Sequence, residues 1–181
     1  MWKASYFRLK SQLLILLGKR HGGRISIGKN VRIRGFPYLV IKGELEVGDN
    51  AVIKSSLKSN PTNHYKRTVI CVDKGAKLSL GSGAGVSNAV IYCSKSILID
   101  RSAMVGSGVR IWDTDFHSTS DANNFPESVT IGAGAWIGAD TIVLKGSEIP
   151  KDTTIGAASL VTKSSSPKMP GKYAGNPLRR L

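Results

Sequence analysis

Aliphatic residues recur at every sixth position along much of this chain. Ile131, Ile137, Val143, Ile149, Ile155 and Val161 hold one unbroken phase, and glycine follows at positions 132, 138 and 156. The same phase runs earlier through Ile99, Val105 and Ile111, through Leu80, Val86 and Tyr92, and in the fragments Ile27 with Val31 and Val47 with Ala51. Small or β-branched residues stand four places after the aliphatic, at Ala103, Val109, Ala135, Thr141, Ser147, Thr153 and Ser159. A helix face repeats about every 3.6 residues and a half-buried strand about every 2, so this period fits neither. It fits a short strand and a tight corner, with three such legs returning the chain above its start after about 18 residues. The aliphatic points into a prism-shaped core, the small residue lets the corner close, and glycine relieves crowding at the turn. At a strand spacing of roughly 4.8 Å, about seven coils make a column of roughly 30 Å. Each coil is buried only by its neighbours, so the ends need covers.

The first twenty residues read differently. Trp2, Tyr6, Leu9, Leu13 and Leu16 fall on one helical stripe, and Gly18 with Gly22-Gly23 supplies a stop. This short N-terminal amphipathic helix either covers the prism or lies in the headgroup region of a membrane, a peripheral contact through residues 1–20. The chain thus divides into helix and linker (1–22), prism (23–163) and basic C-terminal tail (164–181).

Net charge is +14, from 26 Lys+Arg against 12 Asp+Glu. The excess sits at the ends: residues 1–43 hold ten Lys/Arg and no acid, and residues 163–181 hold five and no acid. Such ends suit an anionic partner, whether nucleic acid, membrane surface or phosphorylated small molecule, or simply keep the chain in solution. No stretch reaches the roughly 18 apolar residues of a membrane span. The run Leu13–Leu17 is followed by Gly18, Lys19 and Arg20 and not by a signal-cleavage site. Two cysteines and no Cys/His cluster of zinc-ligand spacing agree with a reducing cytoplasm.

From about Ile25 to the end, the repeat resembles the hexapeptide-repeat acyltransferases. The motifs that carry the resemblance are Ile111-Trp-Asp-Thr-Asp-Phe-His117, Ala135-Trp-Ile-Gly-Ala139, Ile155-Gly-Ala-Ala-Ser-Leu-Val-Thr-Lys163 and Ala174-Gly-Asn-Pro177. The resemblance implies an all-β fold, a left-handed parallel β-helix assembled as a homotrimer, with acetyl-CoA in the groove between neighbouring prisms. Its pattern is similar to the sugar O-acetyltransferase branch, which includes maltose and galactoside acetyltransferases and those of surface-polysaccharide synthesis. Nucleic acid is then not an expected partner.

Transfer from a thioester to a sugar hydroxyl needs a base, and histidine suits that task near neutral pH. The chain has three histidines: His21, His64 and His117. His117 lies in a polar stretch that interrupts the repeat, and it matches the family's catalytic histidine. Asp115 and Asp113 stand two and four residues before it, where extended chain projects side chains to one side. Asp115 is the candidate to orient the imidazole, and Asp113 to bind the sugar. Asn88 is a further candidate for orienting the acceptor.

By resemblance, Trp136 lines the acyl and pantetheine channel, and Gly138 and Ala139 offer backbone N–H groups to the thioester or pantetheine. Ala157, Thr162 and Lys163 match cofactor contacts further along, and Lys163 and Arg179 are candidates for the CoA phosphates. Trp136 equally suits packing between prisms. The polar stretch 118–130 is the favoured acceptor loop, with 55–67 the other break. Carbonic anhydrases with zinc share the prism but use several histidines per site, which three widely separated histidines do not supply. No metal is required by this reading. Cys71 and Cys93 read as packing residues, so direct transfer is expected.

The expectation is therefore a cytoplasmic, acetyl-CoA-dependent O-acetyltransferase of a surface polysaccharide or its precursor. Two alternatives stay open: N-acetylation of an amino sugar or antibiotic, and a non-catalytic prism that docks on membranes.

Overall fold

A computed structural model describes residues 21–59, 67–117 and 125–181. The expected N-terminal helix lies outside these residues, as does His64.

The chain winds as successive coils of three strands. The first coil is β1 (Arg24–Ile27), β2 (Arg32–Gly35) and β3 (Tyr38–Ile41). The second is β4 (Glu44–Val47), β5 (Val52–Ser55) and β6 (Val69–Val72), and the third β7 (Lys77–Leu80), β8 (Gly85–Ser87) and β9 (Val90–Cys93). The fourth is β10 (Ser96–Ile99), β11 (Met104–Val105) and β12 (Arg110–Trp112). The fifth is β13 (Val129–Ile131), β14 (Trp136–Ile137) and β15 (Ile142–Val143), and the sixth β16 (Glu148–Ile149), β17 (Thr154–Ile155) and β18 (Leu160–Val161). Two more strands, β19 (Lys172–Ala174) and β20 (Arg179–Arg180), end the chain.

Stacking sorts the strands into three sheets: A from β1, β4, β7, β10, β13 and β16; B from β2, β5, β8, β11, β14, β17, β19 and β20; C from β3, β6, β9, β12, β15 and β18. Coil-to-coil pairing is parallel, as in Ile99↔Ile131, Ile137↔Ile155 and Val143↔Val161. The result is a left-handed parallel β-helix.

The six-residue phase is the core. Ile99, Ile111, Ile131, Ile137, Val143, Ile155 and Val161 are each 0% exposed. A fully buried Ile contributes about 1.5–3 kcal/mol relative to exposure, so these stacked columns hold the prism together. Ala51, Ala84, Ala103, Ala135 and Thr153 are buried along the corner between sheets A and B, where small side chains let the chain turn tightly. The early coils are wider: four-residue strands such as β7 turn two side chains inward, Leu78 and Leu80, whereas β14 turns in Ile137 alone.

That extra width shifts the phase once. Tyr92, expected inward, faces out, and Ile91 and Cys93 are the buried residues of β9. Only Asn88 and Ala89 separate β8 from β9, so the corner is short and the inward position moves forward by one.

Residues 164–181, read as a basic tail, return to the prism. β19 pairs with β17 and then antiparallel with β20, and Tyr173 joins the core. This hairpin extends sheet B past the last coil.

Candidate active site

At the corner between sheets C and A the chain leaves the prism after Trp112, at the end of the fourth coil, and rejoins it at Val129, the start of the fifth. Asp113 begins this excursion with its side chain turned in and 0% exposed. Its Oδ1 accepts the Ser94 N–H at 2.6 Å, and its Oδ2 accepts the Lys95 and Ser96 N–H groups at 2.7 and 2.8 Å. Its main-chain carbonyl accepts the Glu127 N–H at 2.9 Å, which closes the base of the loop. The Cys93 thiol points at the same carboxylate from 3.6 Å, and burial together with that charge pushes it up to about 12. Asp113, expected at the sugar, is therefore placed inside the prism wall.

Beyond Asp113 the backbone is held by aromatic rings. Phe116 has a φ of 63°, a left-handed conformation that costs a non-glycine residue roughly 1–3 kcal/mol unless its surroundings impose it. Its ring meets Tyr92 and Trp112 edge-on, with centroids 4.8 and 5.5 Å away. The Tyr92 hydroxyl in turn donates to Asp73 Oδ1 at 3.3 Å, and burial raises its phenol above the ordinary value. His117 follows immediately, exposed, with its N–H donating to the Asp115 carbonyl at 2.7 Å. The imidazole is thus carried on the first described arm of a loop pinned at its base and clamped one residue away.

Cationic side chains from the next coils stand at the same corner. Lys145, after β15, pairs with the Asp115 carboxylate at 2.6 Å, its own side chain only 20% exposed. Lys163, after β18, pairs with Glu127 at 2.5 Å and holds that carboxyl below its ordinary value. A groove of about 510 Å³ runs past Asp115, Glu127, Lys145, Thr162 and Lys163. Asp115, expected to orient the imidazole, has its carboxylate held by Lys145.

The remaining expected site residues lie across sheet C. Trp136 stands on the outer face of sheet B, 58% exposed beside its register neighbour Met104, 50% exposed. Gly138, Ala139 and Ala157 form the next corner, between sheets B and C. A Cβ on Gly138 would sit 2.5 Å from the Ala157 backbone nitrogen, so coil stacking itself requires glycine there. Asn88 is buried at the same corner of the third coil with a φ of 45°. Arg179 is exposed on β20. One prism therefore carries His117, Asp115, Thr162 and Lys163 at one corner and Gly138, Ala139 and Ala157 at another, with Trp136 on the sheet B strand before it.

Sequence reasoning missed Lys145, Glu127 and the aromatic clamp. Lys145 was legible in the repeat, one coil before Lys163. The clamp was not, because it depends on Tyr92 facing out. Among the described residues, no three His, Cys, Asp or Glu side chains converge as metal ligands.

No family model matches the chain. A galactoside O-acetyltransferase of Lactococcus lactis subsp. lactis (strain IL1403) is 30% identical over 124 residues, 65% of this chain. The chain spans 54% of that relative's length. The polysialic acid O-acetyltransferase OatWY superposes with a TM-score of 0.65 at 19% identity, covering 88% of this chain and 74% of that one. A maltose O-acetyltransferase from Clostridium difficile 630 gives 0.57 at 18%, covering 98% and 84%. AntD, an N-acyltransferase from Bacillus cereus solved with dTDP and coenzyme A, gives 0.67 at 19%, covering 94% and 87%. The prism is the fold of these hexapeptide-repeat transferases, and the sequence match is to one named as a galactoside O-acetyltransferase.

Proposed function

We propose that the protein transfers an acetyl group from acetyl-CoA to a sugar hydroxyl of a surface polysaccharide or its precursor, in the cytoplasm. The observation that carries this reading is His117 on a loop pinned by Asp113 and clamped through Phe116, two residues after Asp115, which lines a groove with Lys145 and Lys163. Imidazole takes the hydroxyl proton as the sugar oxygen attacks the thioester carbonyl. Collapse of the tetrahedral intermediate breaks the carbon–sulfur bond, and the imidazolium returns its proton to the departing CoA thiolate. Lys163 is assigned to the CoA phosphates, and Asp115 to the imidazole, its charge balanced by Lys145. The galactoside and polysialic acid enzymes that this chain resembles are named for sugar acceptors, which favours a hydroxyl.

The reading includes a homotrimer. Exposed Trp136 and Met104 form an apolar pair on sheet B, and Val69, Val90, Ile142 and Leu160 line the outer face of sheet C around Arg110. A second copy seated on these faces would bring its Trp136, Gly138 and Ala139 toward this copy's His117, completing a site that one prism divides.

The test is acetyl transfer by full-length protein to a panel of sugar nucleotides, lipid-linked sugars and oligosaccharides, followed by mass spectrometry, with an amino-sugar arm because AntD is an N-acyltransferase. His117→Ala is expected to lose at least a hundredfold in kcat while remaining folded, consistent with general-base contributions of about 10²–10⁴. A folded His117→Ala protein of undiminished activity would reject the mechanism.

A further inference from the structure

Two long edges of the prism differ in charge. Where sheet A turns into sheet B the edge is mixed, with Lys29, Asp49, Asp100 beside Arg101, and Lys151 beside Asp152. Where sheet C turns into sheet A, coil after coil presents a lysine: Lys42, Lys74 and Lys95, then the His117 excursion, then Lys145 and Lys163. The edge that carries the imidazole is thus the lysine edge, on both sides of it.

The two sides are not equivalent. Lys145 and Lys163, toward the chain's C-terminal end, are matched by Asp115 and Glu127. Lys42, Lys74 and Lys95 are exposed and make no ion pair among the described residues. Asp73 lies on the same edge, its carboxylate accepting from the Tyr92 hydroxyl at 3.3 Å and Ser94 Oγ at 2.8 Å, so these rungs carry three lysines against one acid. Rungs are about 4.8 Å apart, so the three lysines stand on successive rungs over roughly 10 Å, the last of them on the rung whose N–H groups bind Asp113 at the root of the His117 loop.

A line one lysine wide does not suit a bilayer, which needs a plane of contact, nor single-stranded nucleic acid, which is gripped by stacking on exposed aromatics. It suits a linear polymer carrying one negative charge every sugar or two. We propose that Lys42, Lys74 and Lys95 form a binding track for an anionic glycan acceptor, carboxylated or phosphorylated, which lies along the prism axis with its reacting hydroxyl at His117. This rests on the transfer reading above. Donor and acceptor then approach His117 from opposite ends of one edge, the CoA phosphates at Lys163 and the glycan charges at Lys95 and beyond.

The experiment measures binding of fluorescently tagged oligogalacturonate, poly(glycerol phosphate) and neutral maltooligosaccharide of matched length to full-length protein without acetyl-CoA. Wild type is compared with Lys42→Gln/Lys74→Gln/Lys95→Gln and with a charge-matched control, Lys29→Gln/Lys151→Gln/Lys168→Gln. The track variant is expected to lose roughly tenfold or more in affinity for an anionic oligomer, as three exposed charge contacts allow, and the control less than about twofold. Preference for carboxylate or phosphate identifies the source of the charge. Equal loss in both variants, no loss in the track variant, or equally tight binding of the neutral oligomer overturns the track. Because binding is read without turnover, an active His117→Ala enzyme would defeat the transfer reading and leave this measurement standing, and the reverse holds equally.

Discussion

Replacing Asp113 by Asn keeps the side chain's shape but turns one of its two acceptor oxygens into a donor. The structure uses both: Oδ1 for Ser94, at 2.6 Å, and Oδ2 for Lys95 and Ser96, at 2.7 and 2.8 Å. Whichever way the amide sits, its NH₂ faces at least one backbone N–H in a wall that admits no water to this fully buried side chain. The cheaper orientation keeps oxygen at the Oδ2 position and sacrifices the Ser94 bond. A hydrogen bond to a charged group contributes about 1.5–3 kcal/mol, and an unsatisfied buried donor costs about 1–3 kcal/mol more. A loss of about 3 kcal/mol is therefore expected, which for a chain of this size lowers Tm by about 6–12 °C. Thermal unfolding followed by circular dichroism, with the urea midpoint as a second measure, reads this directly. A variant that melts within about 2 °C of wild type yet shows a raised KM for the acceptor would refute the argument, because the carboxylate would then be meeting sugar and not the corner at 94–96.

Phe116→Ala removes the ring that holds a strained backbone one residue before His117; kcat is expected to fall about tenfold with little change in Tm, since the ring is 49% exposed, and Phe116→Tyr should restore it. Steady-state kinetics beside melting curves separate that outcome from general destabilisation. Cys93, with its thiol pushed up to about 12, should stay unalkylated by iodoacetamide in native protein at pH 8 and react only after unfolding, as peptide mass mapping will show.

The repeat made the inner surface of this molecule legible because a buried column tolerates only one kind of side chain. From Ile131 to Val161 every inward position follows from counting in sixes. Counting fails where a corner changes length, as between β8 and β9, and that one-residue slip hid Tyr92 and with it the clamp on Phe116. His117 was legible for a different reason: like His64 it stands in a segment that interrupts the repeat, but it alone falls in a motif that resembles the family's. The ion pairs around it were not, since a lysine one coil away becomes a neighbour only once the coils are stacked in register.

Asp113 shows how far the same reasoning extends. Spacing by two from His117 groups it with Asp115 on the substrate side, yet spacing by two from buried Ile111 puts it in the core, and the second count is the one the strand enforces. A carboxylate belongs there because of what has left. At this edge an ordinary coil offers main-chain carbonyls to the N–H groups of the coil before it, as Val72 and Cys93 do for Lys42 and Asp73. Where the fourth coil departs into its excursion those carbonyls are missing, and buried N–H groups left without acceptors would each be costly. The two oxygens of Asp113 stand in for the absent backbone, so the residue that lets the His117 loop leave the prism is also the one that repairs the gap it leaves.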